Sequence, residues 1–569
     1  MNPIIKAQLN DFRKSNASVS ENDSDGFEVM SIFAVENGLL GENVDPFKIH
    51  LKGTEFGVDG ISILIQGAVC TDADEAEAAL SVGKNHNTAF HFFQSKTSEN
   101  LDYGDFSKFL DAVYDFFTDL KLLKGEQIED LVDAREKVFG VATKSSPELF
   151  CFYCSTGSGE ISDAIGNLIE ASKKRLQSLN IFESVKIESI GARDLQQGFR
   201  AATNASTATI SFPDSVIMPN HPHVDEAYIG YVTAEQILEL ALGDADSSDV
   251  RHINRSVFYD NVRDFDPNSE INKSILSDLE AGDLESFVFK NNGVTVVAKE
   301  VTRKRDNFTI TDYQIVNGCQ TTNILAHARE KAADIMVPLR VIGSRDADFV
   351  SKIIVGTNKQ NEVRQDQFWA LLPFMKDLET YAGAQADDSK ILIERRDNQY
   401  RDISSERMRI TRPSDLMKAA AAMFFYQPHR AARDHRGIRK EFSARIFIEG
   451  HSVELYHASA LAMYKFDYLV RTSRVDRSKS IFKFYALYAL VRKNWKEPNI
   501  LDAPPKSQSK VHKEILKIIG DNDAFTKHID LVSASIEKMI SGSSAKTREQ
   551  IRDYIRTDSF IEAFNASFF

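Results

Sequence analysis

Two apolar runs of the chain are bounded by polar residues, the first at its start and the second at its end. These two runs constrain the fold more than any other feature. Asp59 opens the run GISILIQGAVC, and a second run, AFHFFQSK, ends in Gln94, Ser95 and Lys96. Because strand side chains alternate between two faces, Gln94 and Lys96 share a face. If the two runs form neighbouring strands, Asp59, Gln94 and Lys96 converge at one end of a sheet.

These residue types suit the hydrolysis of a phosphodiester bond. An Asp and a second oxygen ligand hold a hard cation, which we expect to be Mg²⁺ or Mn²⁺. A Lys beside them orients a water and stabilises charge on a phosphate. We therefore predict Asp59 and Gln94 as metal ligands, and Asp59, Gln94 and Lys96 as catalytic residues. The alternative is that two core strands simply end in polar residues.

The string Gly57-Val-Asp-Gly60 followed by Phe93-Gln-Ser-Lys96 resembles the PD-(D/E)xK nuclease core, in the QxK form of Mrr-type restriction endonucleases. The resemblance implies a mixed sheet with flanking helices and a Mg²⁺-dependent endonuclease. The chain departs from it at Gln94, where most members carry Asp or Glu, and a neutral amide is a poorer Mg²⁺ ligand than a carboxylate.

In several families of this superfamily, a Glu of the first helix reaches the metal, and this makes Glu28 a further catalytic candidate. The pattern FEVMSIFAVEN predicts a helix over residues 25–37, capped by Ser24 or Asp25, with Glu28 in its first turn. The alternative is that Glu28 is simply favoured there by the helix dipole.

The order of predicted elements over residues 25–156 is α-β-β-β-α-(α)-β, which is the order of a restriction-endonuclease-like core. The acidic segment TDADEAEAALSVGKNHN, between the second and third strands, is expected to be a loop. Apolar spacing predicts the helices, and apolar runs predict the strands. The predicted strands cover 47–53, 57–69, 88–96 and 147–156, and the predicted helices cover 103–120 and 126–139.

Length and composition set the class of protein. A chain of 569 residues suggests three or four domains, and 42% hydrophobic with 27% charged residues is ordinary for a globular protein. No apolar run approaches the roughly 20 residues of a membrane span. Four cysteines and the absence of a secretory signal favour a cytoplasmic location. The net charge of −14 argues against a protein that coats DNA, but allows a local basic groove.

Two Asn-Gly turns stand beside apolar strands, in FKNNGVTVV (289–297) and IVNGCQTTN (315–323). Asn-Gly adopts positive φ at low cost and exposes backbone N–H groups, and a helix start after the second turn suits an anion. The alternative is a hairpin turn and a helix cap without a ligand. The residues predicted to bind nucleic acid or phosphate here are Asn291, Asn292, Gly293, Asn317, Gly318, Gln320 and Thr321.

Both strings resemble the signature of the AIPR family, the abortive infection phage resistance proteins of bacteria. Further similar strings, in the family's order, are VFYDNVRDF (257–265), VGTNKQNEVRQDQF (355–368) and IERRDNQY (393–400). The family commonly begins with a D…QxK nuclease-like segment, which matches Asp59 and Gln94–Lys96. The resemblance implies antiphage defence, by cutting invading DNA or by damaging the host's own nucleic acid.

The segment 391–445 has the densest positive charge, with interleaved aromatic residues. Such a surface suits phosphate contact and base stacking, and Arg395 and Arg396 are its predicted nucleic-acid-binding residues. The alternative is that its arginines pair with acidic residues of other domains. The polar string Thr357–Arg364 either contacts nucleic acid or caps the helix that follows it.

The sequence therefore predicts a multidomain α/β protein. Its domains are a nuclease-like domain (1–160), a connector (161–214), a recognition domain (215–415) and a mainly helical domain (416–569), in which 503–510 is expected to be a linker or turn. The expected partners are nucleic acid, in particular DNA, a second copy of the chain and a phage-derived trigger, with no membrane. The alternative function is a degenerate nuclease core that binds nucleic acid or senses phage. A third, nucleotide hydrolysis at the NGCQTT turn, lacks a Walker lysine.

Overall fold

The chain forms two mixed β-sheets with flanking helices, followed by a helical region, and this confirms the expected α/β class. The structure is a computed structural model. The residues that it describes are 1–40, 44–53, 56–81, 86–141, 146–245, 251–258, 287–329, 335–357, 369, 372–395, 399–400, 406–432 and 435–569.

The N-terminal sheet has five strands in the order β2-β1-β3-β4-β5. Strand β1 runs antiparallel to β2 and β3, whereas β3, β4 and β5 are parallel. The strands are β1 (Gly60–Ile65), β2 (Ala68–Cys70), β3 (Thr88–Lys96), β4 (Glu148–Ser155) and β5 (Ser184–Ile190). The helices are α1 (Pro3–Ser15), α2 (Asp23–Leu40), α3 (Pro46–Ile49), α4 (Ala73–Leu80), α5 (Tyr103–Phe116), α6 (Glu126–Gly140), α7 (Asp163–Gln177) and α8 (Ala192–Thr203).

Helices cover both faces of this sheet. On one face, Ile61 and Phe92 pack in a core with α5, α6 and α7. On the other face, Phe93 and Phe152 pack with α1, α2 and α8. Because Gln94 and Lys96 follow Phe92 at steps of two residues, they belong to the face covered by α5.

The predicted strand at 88–96 and the predicted helices after it are confirmed, but four local predictions are wrong. Residues 46–49 form α3 instead of a strand, because Pro46 starts a helical turn that Asp45 caps. The predicted strand 57–69 is a hairpin with positive φ at Gln66 and Gly67. The acidic loop contains α4, which Asp72 caps. Asn22 caps helix α2, which starts at Asp23, so Glu28 lies in the second turn and not in the first.

The central sheet has six strands in the order β6-β12-β11-β13-β8-β7. One face packs with α9 and α11, and α12 covers part of the other face. The strands are β6 (Thr207–Ser211), β7 (Asp214–Ile217), β8 (Glu226–Thr233), β11 (Val294–Lys304), β12 (Asn307–Asn317) and β13 (Met336–Gly343), with a separate ribbon of β9 (Leu242–Ala245) and β10 (Arg251–Ile253). The helices are α9 (Ala234–Ala241), α10 (Phe287–Lys290), α11 (Cys319–His327) and α12 (Ala347–Thr357).

The third region is helical, and its hydrophobic core extends from Trp369 to Phe564. The predicted linker at 503–510 is wrong, because Pro505 starts a long helix at its favoured first position. The helices are α13 (Pro373–Gly383), α14 (Pro413–Met423), α15 (Pro428–Ala431), α16 (His435–Phe442), α17 (Val453–Arg471), α18 (Lys483–Arg492), α19 (Pro505–Ile519), α20 (Asn522–Ser541), α21 (Arg548–Ile555) and α22 (Asp558–Phe568), with the short strands β14 (Leu392–Ile393) and β15 (Ile410–Thr411). No helix in the described ranges is long and apolar enough to span a membrane.

Ion pairs join the C-terminal helices to the N-terminal domain. Arg548 makes a two-pronged contact with Asp130 of α6, at 2.7 and 2.9 Å. One helical turn later, Arg552 pairs with Asp133. A further turn on, Arg556 pairs with Asp74 of α4. Arginines at steps of four residues share a helix face, so this face of α21 is matched to acidic residues of the first domain.

We predict that Arg548→Ala destabilises the protein by about 2 kcal/mol, because the partly buried carboxylate of Asp130 loses two charge-assisted hydrogen bonds. Thermal unfolding would be compared for Arg548→Ala, Asp130→Ala and the double variant, with Lys527→Ala as an exposed control. The loss of stability in the double variant should be smaller than the sum of the losses in the two single variants. Additive losses would show that the two side chains are not coupled.

Candidate metal and phosphate sites

Asp59 and Gln94 meet where β1 begins and β3 ends. The pairing of Gly60 with Phe93 sets this register, and the Asp59 N–H donates to the Phe93 carbonyl at 2.7 Å. One carboxylate oxygen of Asp59, Oδ2, accepts from Gln94 Nε2 at 2.8 Å and from the Ser95 N–H at 2.6 Å. The structure thus brings together the two residues that the sequence predicts as metal ligands.

Gln94 is buried, and its amide oxygen has no hydrogen-bond partner among the described residues. An unpaired buried acceptor costs about 1–3 kcal/mol. The other oxygen of Asp59, Oδ1, also lacks a partner in the described ranges. The pair therefore has two oxygen atoms whose bonding capacity the folded chain leaves unused.

Gly57 makes room for the Gln94 amide. Its φ is +75°, and a Cβ at this position would lie 3.0 Å from Gln94 Oε1. A side chain at Gly57 would therefore be strained and would crowd the unpaired oxygen. The sequence string Gly57-Val-Asp-Gly60 indicated the site, but only the structure shows this contact.

Lys96 lies at the edge of the site with its side chain 37% exposed. Its Nζ is 3.7 Å from the carboxylate of Asp105, in the first turn of α5. In β4, Tyr153 is the register partner of Gln94 and Ser155 is the partner of Lys96. The sequence analysis missed Asp105, whose proximity depends on how α5 packs, and no sequence signal marks it.

Glu28 approaches the site from α2, and it is held by a histidine that the sequence analysis missed. His50 Nε2 lies 2.8 Å from Glu28 Oε2. The backbone carbonyl of His50 accepts from Gln127 of α6 at 3.0 Å. Glu28 thus lies close enough to influence Asp59 by its charge, although its carboxylate already has a partner.

Burial, and after it the charge of Glu28, raise the pKa of Asp59 to about 7. The Ser95 N–H and the charge of Lys96 act in the opposite direction, because both favour the ionised carboxylate. A cation bound to the two unused oxygen atoms would act in the same direction as Lys96.

The donor set fits a weakly held hard cation. No group of three or more His, Cys, Asp or Glu side chains suited to a metal occurs in the part of the chain that the structure describes. Mg²⁺ is commonly bound by one or two carboxylates, with waters and substrate phosphates completing its shell. Asp59 Oδ1 and Gln94 Oε1 would be the protein ligands of such an ion.

The two Asn-Gly turns of the central sheet pack against each other. Gly318 has φ +93°, and a Cβ there would lie 2.7 Å from the Gly293 carbonyl oxygen. Asn291 Nδ2 donates to Thr321 Oγ1 at 3.0 Å, and Asn291 Oδ1 accepts from the Gly293 N–H. Asn317 donates to the Thr357 carbonyl at 3.2 Å.

The predicted residues of the two turns therefore form one cluster. Asn292 and Gln320 are exposed, whereas Thr321 is buried. The bonds within the cluster explain these residues as turn and cap elements, which was the alternative that the sequence left open. Phosphate binding here stays a prediction.

The arginine-rich segment is largely engaged in ion pairs. Arg395 is buried, with Nε 2.5 Å from Glu379 and Nη1 3.1 Å from Asp348. Arg412 likewise forms an ion pair with Glu394, at 3.2 Å. This geometry favours the alternative reading of the segment, in which its arginines pair with acids. Arg396 and most residues of the strings 258–263 and 357–364 lie outside the described residues.

Comparison with known proteins gives one match. The model of the family described as AIPR protein matches residues 258–549, which is just over half of the 569 residues. No curated protein and no solved structure matches the chain significantly. The match covers three of the six strands of the central sheet and the helical region as far as the start of α21, and it begins after the Asp59–Gln94 site.

We predict that Asp59→Asn changes the pH dependence of stability. The raised pKa means that the unfolded chain releases this proton near pH 4 and the folded protein near pH 7. Stability therefore falls as pH rises through this window, and Asn removes that loss. Between pH 5 and pH 8, the free energy of unfolding of the variant should rise by about 2 kcal/mol relative to that of wild type. Thermal unfolding in EDTA would measure the difference in stability between variant and wild type at each pH. A difference that does not change with pH would contradict the raised pKa.

We predict that Gln94→Glu strengthens Mn²⁺ binding several-fold at pH 8, because a carboxylate is a better ligand than an amide oxygen. Without metal, the same variant should melt at a lower temperature, because two carboxylates then repel each other. Electron paramagnetic resonance of Mn²⁺ would measure affinity, with Ser95→Ala as control. Unchanged affinity would mean that residue 94 does not contact the ion.

Proposed function

The chain belongs to the AIPR family, and we propose that its N-terminal domain is a metal-dependent endonuclease that hydrolyses phosphodiester bonds of DNA. Family membership suggests a role in abortive infection, the antiphage defence after which the family is named. The nuclease proposal concerns residues that precede the matched segment, so it is supported by the geometry of the site instead.

The observation that carries this proposal is the unpaired, buried oxygen of Gln94 beside Asp59. A folded chain rarely leaves a buried acceptor unsatisfied, and such an atom calls for a water or an ion. The Asp59 carboxylate that Gln94 contacts has a second unused oxygen, Oδ1, and a lysine on the same face of β3 follows two residues later. The combination is what metal-assisted phosphodiester cleavage requires.

The residues divide the work as follows. Asp59 and Gln94 would hold Mg²⁺ or Mn²⁺, which supplies Lewis acidity and lowers the pKa of a bound water. Lys96 would position the attacking water and stabilise negative charge on the phosphate. Glu28, fixed by His50, would contribute negative charge beside the cation. Because Asp59 must be ionised to bind a cation, affinity for the metal should weaken as pH falls below about 7.

An alternative is a degenerate core that binds nucleic acid or senses phage without cutting. Two observations favour it. The Gln94 Nε2 already bonds Asp59, which makes the site stable without a metal. The described residues also hold no cluster of three metal-binding side chains. This alternative predicts metal-independent binding and no strand scission.

The experiment that tests the proposal is a cleavage assay. Purified protein would be incubated with supercoiled plasmid, linear duplex and RNA, in Mg²⁺, Mn²⁺ or EDTA. We predict metal-dependent cutting of DNA that is lost in Lys96→Ala and Asp59→Ala. Lys124→Ala, an exposed lysine of the same domain, is the matched control and should cut as wild type does.

Two outcomes would contradict the nuclease proposal. One is cutting that persists in Lys96→Ala or Asp59→Ala when both variants melt as wild type does. The other is no cutting on any substrate, with or without lysate of phage-infected cells as a source of trigger. Binding of DNA in EDTA together with the second outcome would favour the degenerate core. Cutting of both strands would also call for two sites, and a homodimer would supply them.

A further inference from the structure

Helix α19 carries a row of lysines. Lys506, Lys510, Lys513 and Lys517 follow one another at steps of four, three and four residues. At 100° per residue these steps keep all four side chains within one narrow strip of the helix. With a rise of 1.5 Å per residue, the strip is roughly 17 Å long.

This lysine row faces solvent. All four side chains are exposed, whereas Val511, Ile515 and Ile519 on the opposite side of the helix are buried. None of the four lysines has an acidic partner within the described part of the chain. Packing thus fixes α19 in the helical region by its apolar side and leaves a strip of uncompensated positive charge outside.

The lysine row lies on the surface of an acidic protein. The net charge is −14, and Arg395, Arg412 and Arg548 are engaged by carboxylates. Like charges three or four residues apart repel each other and destabilise a helix by a few tenths of a kcal/mol per pair. Helix α19 has one acidic residue, Glu514, against these four lysines, whereas α20 has more acidic residues than lysines. The spacing therefore does not serve the stability of α19.

We propose that the lysine row of α19 is a docking surface for the sugar-phosphate backbone of nucleic acid. Charge complementarity selects this occupant. The axial rise of a duplex is 3.4 Å per base pair, so the row lies along roughly five base pairs and can reach the phosphates that face it. Lysines are flexible point charges that suit phosphates, and the row presents no aromatic side chain for stacking, so the docking is independent of sequence.

The docking surface goes beyond the proposed nuclease activity and does not depend on its metal site. The sequence analysis expected nucleic acid at the arginine-rich segment, where the arginines are largely paired. It assigned no role to residues 505–519, part of which it expected to be a linker. The row places the contact on the C-terminal helical region instead.

The test measures binding of a fluorescent 20-base-pair duplex in EDTA, which removes any metal-dependent step. The variant Lys506→Gln/Lys510→Gln/Lys513→Gln/Lys517→Gln is compared with wild type. The matched control, Lys493→Gln/Lys496→Gln/Lys527→Gln/Lys538→Gln, removes the same charge from exposed, unpaired lysines of the same region. Circular dichroism would show that both variants keep their helix content, which exposed substitutions should not alter.

We expect the row variant to bind at least tenfold more weakly than the control at low salt. The magnitude of the slope of log affinity against log salt should fall by about 3.6, since each of the four phosphate contacts contributes about 0.9. Single-stranded DNA and RNA arms show which nucleic acid the row prefers, and a preference for any of them supports the proposal. Equal affinity of the two variants would overturn it. Loss of binding to anionic phospholipid vesicles, with duplex binding intact, would also overturn it.

Discussion

The contact between Asp59 and the end of β3 is the constraint on which the candidate site depends. One carboxylate oxygen accepts both the Gln94 amide and the Ser95 backbone, which locks the start of β1 to the last residues of β3. Burial at this position raises the pKa of Asp59, which the Ser95 N–H partly offsets, and Asp59 Oδ1 and Gln94 Oε1 are left without partners among the described residues. The sheet, the unusual protonation of Asp59 and the capacity for a cation are thus consequences of one arrangement.

Ion pairs connect that site to the rest of the molecule. Helix α6 bears Asp130 and Asp133, which hold the arginines of α21, and it also bears Gln127, which holds the backbone of His50. His50 in turn holds Glu28 beside Asp59. A continuous chain of contacts therefore leads from the helical region to the candidate site. Carboxylates of α4 and α6 in the first domain thus pair with arginines of the C-terminal helices.

Much of the fold could be predicted from periodicity. Strand β3 and helices α5 and α6 have clear apolar patterns, and the structure confirms them. The errors arose where local chemistry overrides pattern: Pro46 and Pro505 start helices inside segments predicted as strand and linker, and Gln66 and Gly67 turn a predicted strand back on itself. The convergence of Asp59 and Gln94 was predictable from strand alternation. Gly57, His50 and Asp105 were not, because their contacts depend on tertiary packing.

The most direct test of the central claim is a crystal structure of the protein grown or soaked with Mn²⁺, with anomalous scattering used to locate the ion. We predict an anomalous peak roughly 2.2 Å from Asp59 Oδ1 and from the Gln94 amide oxygen, with water in the remaining positions. A map without a peak there, in which the Gln94 amide still donates to Asp59, would contradict the proposed cation site.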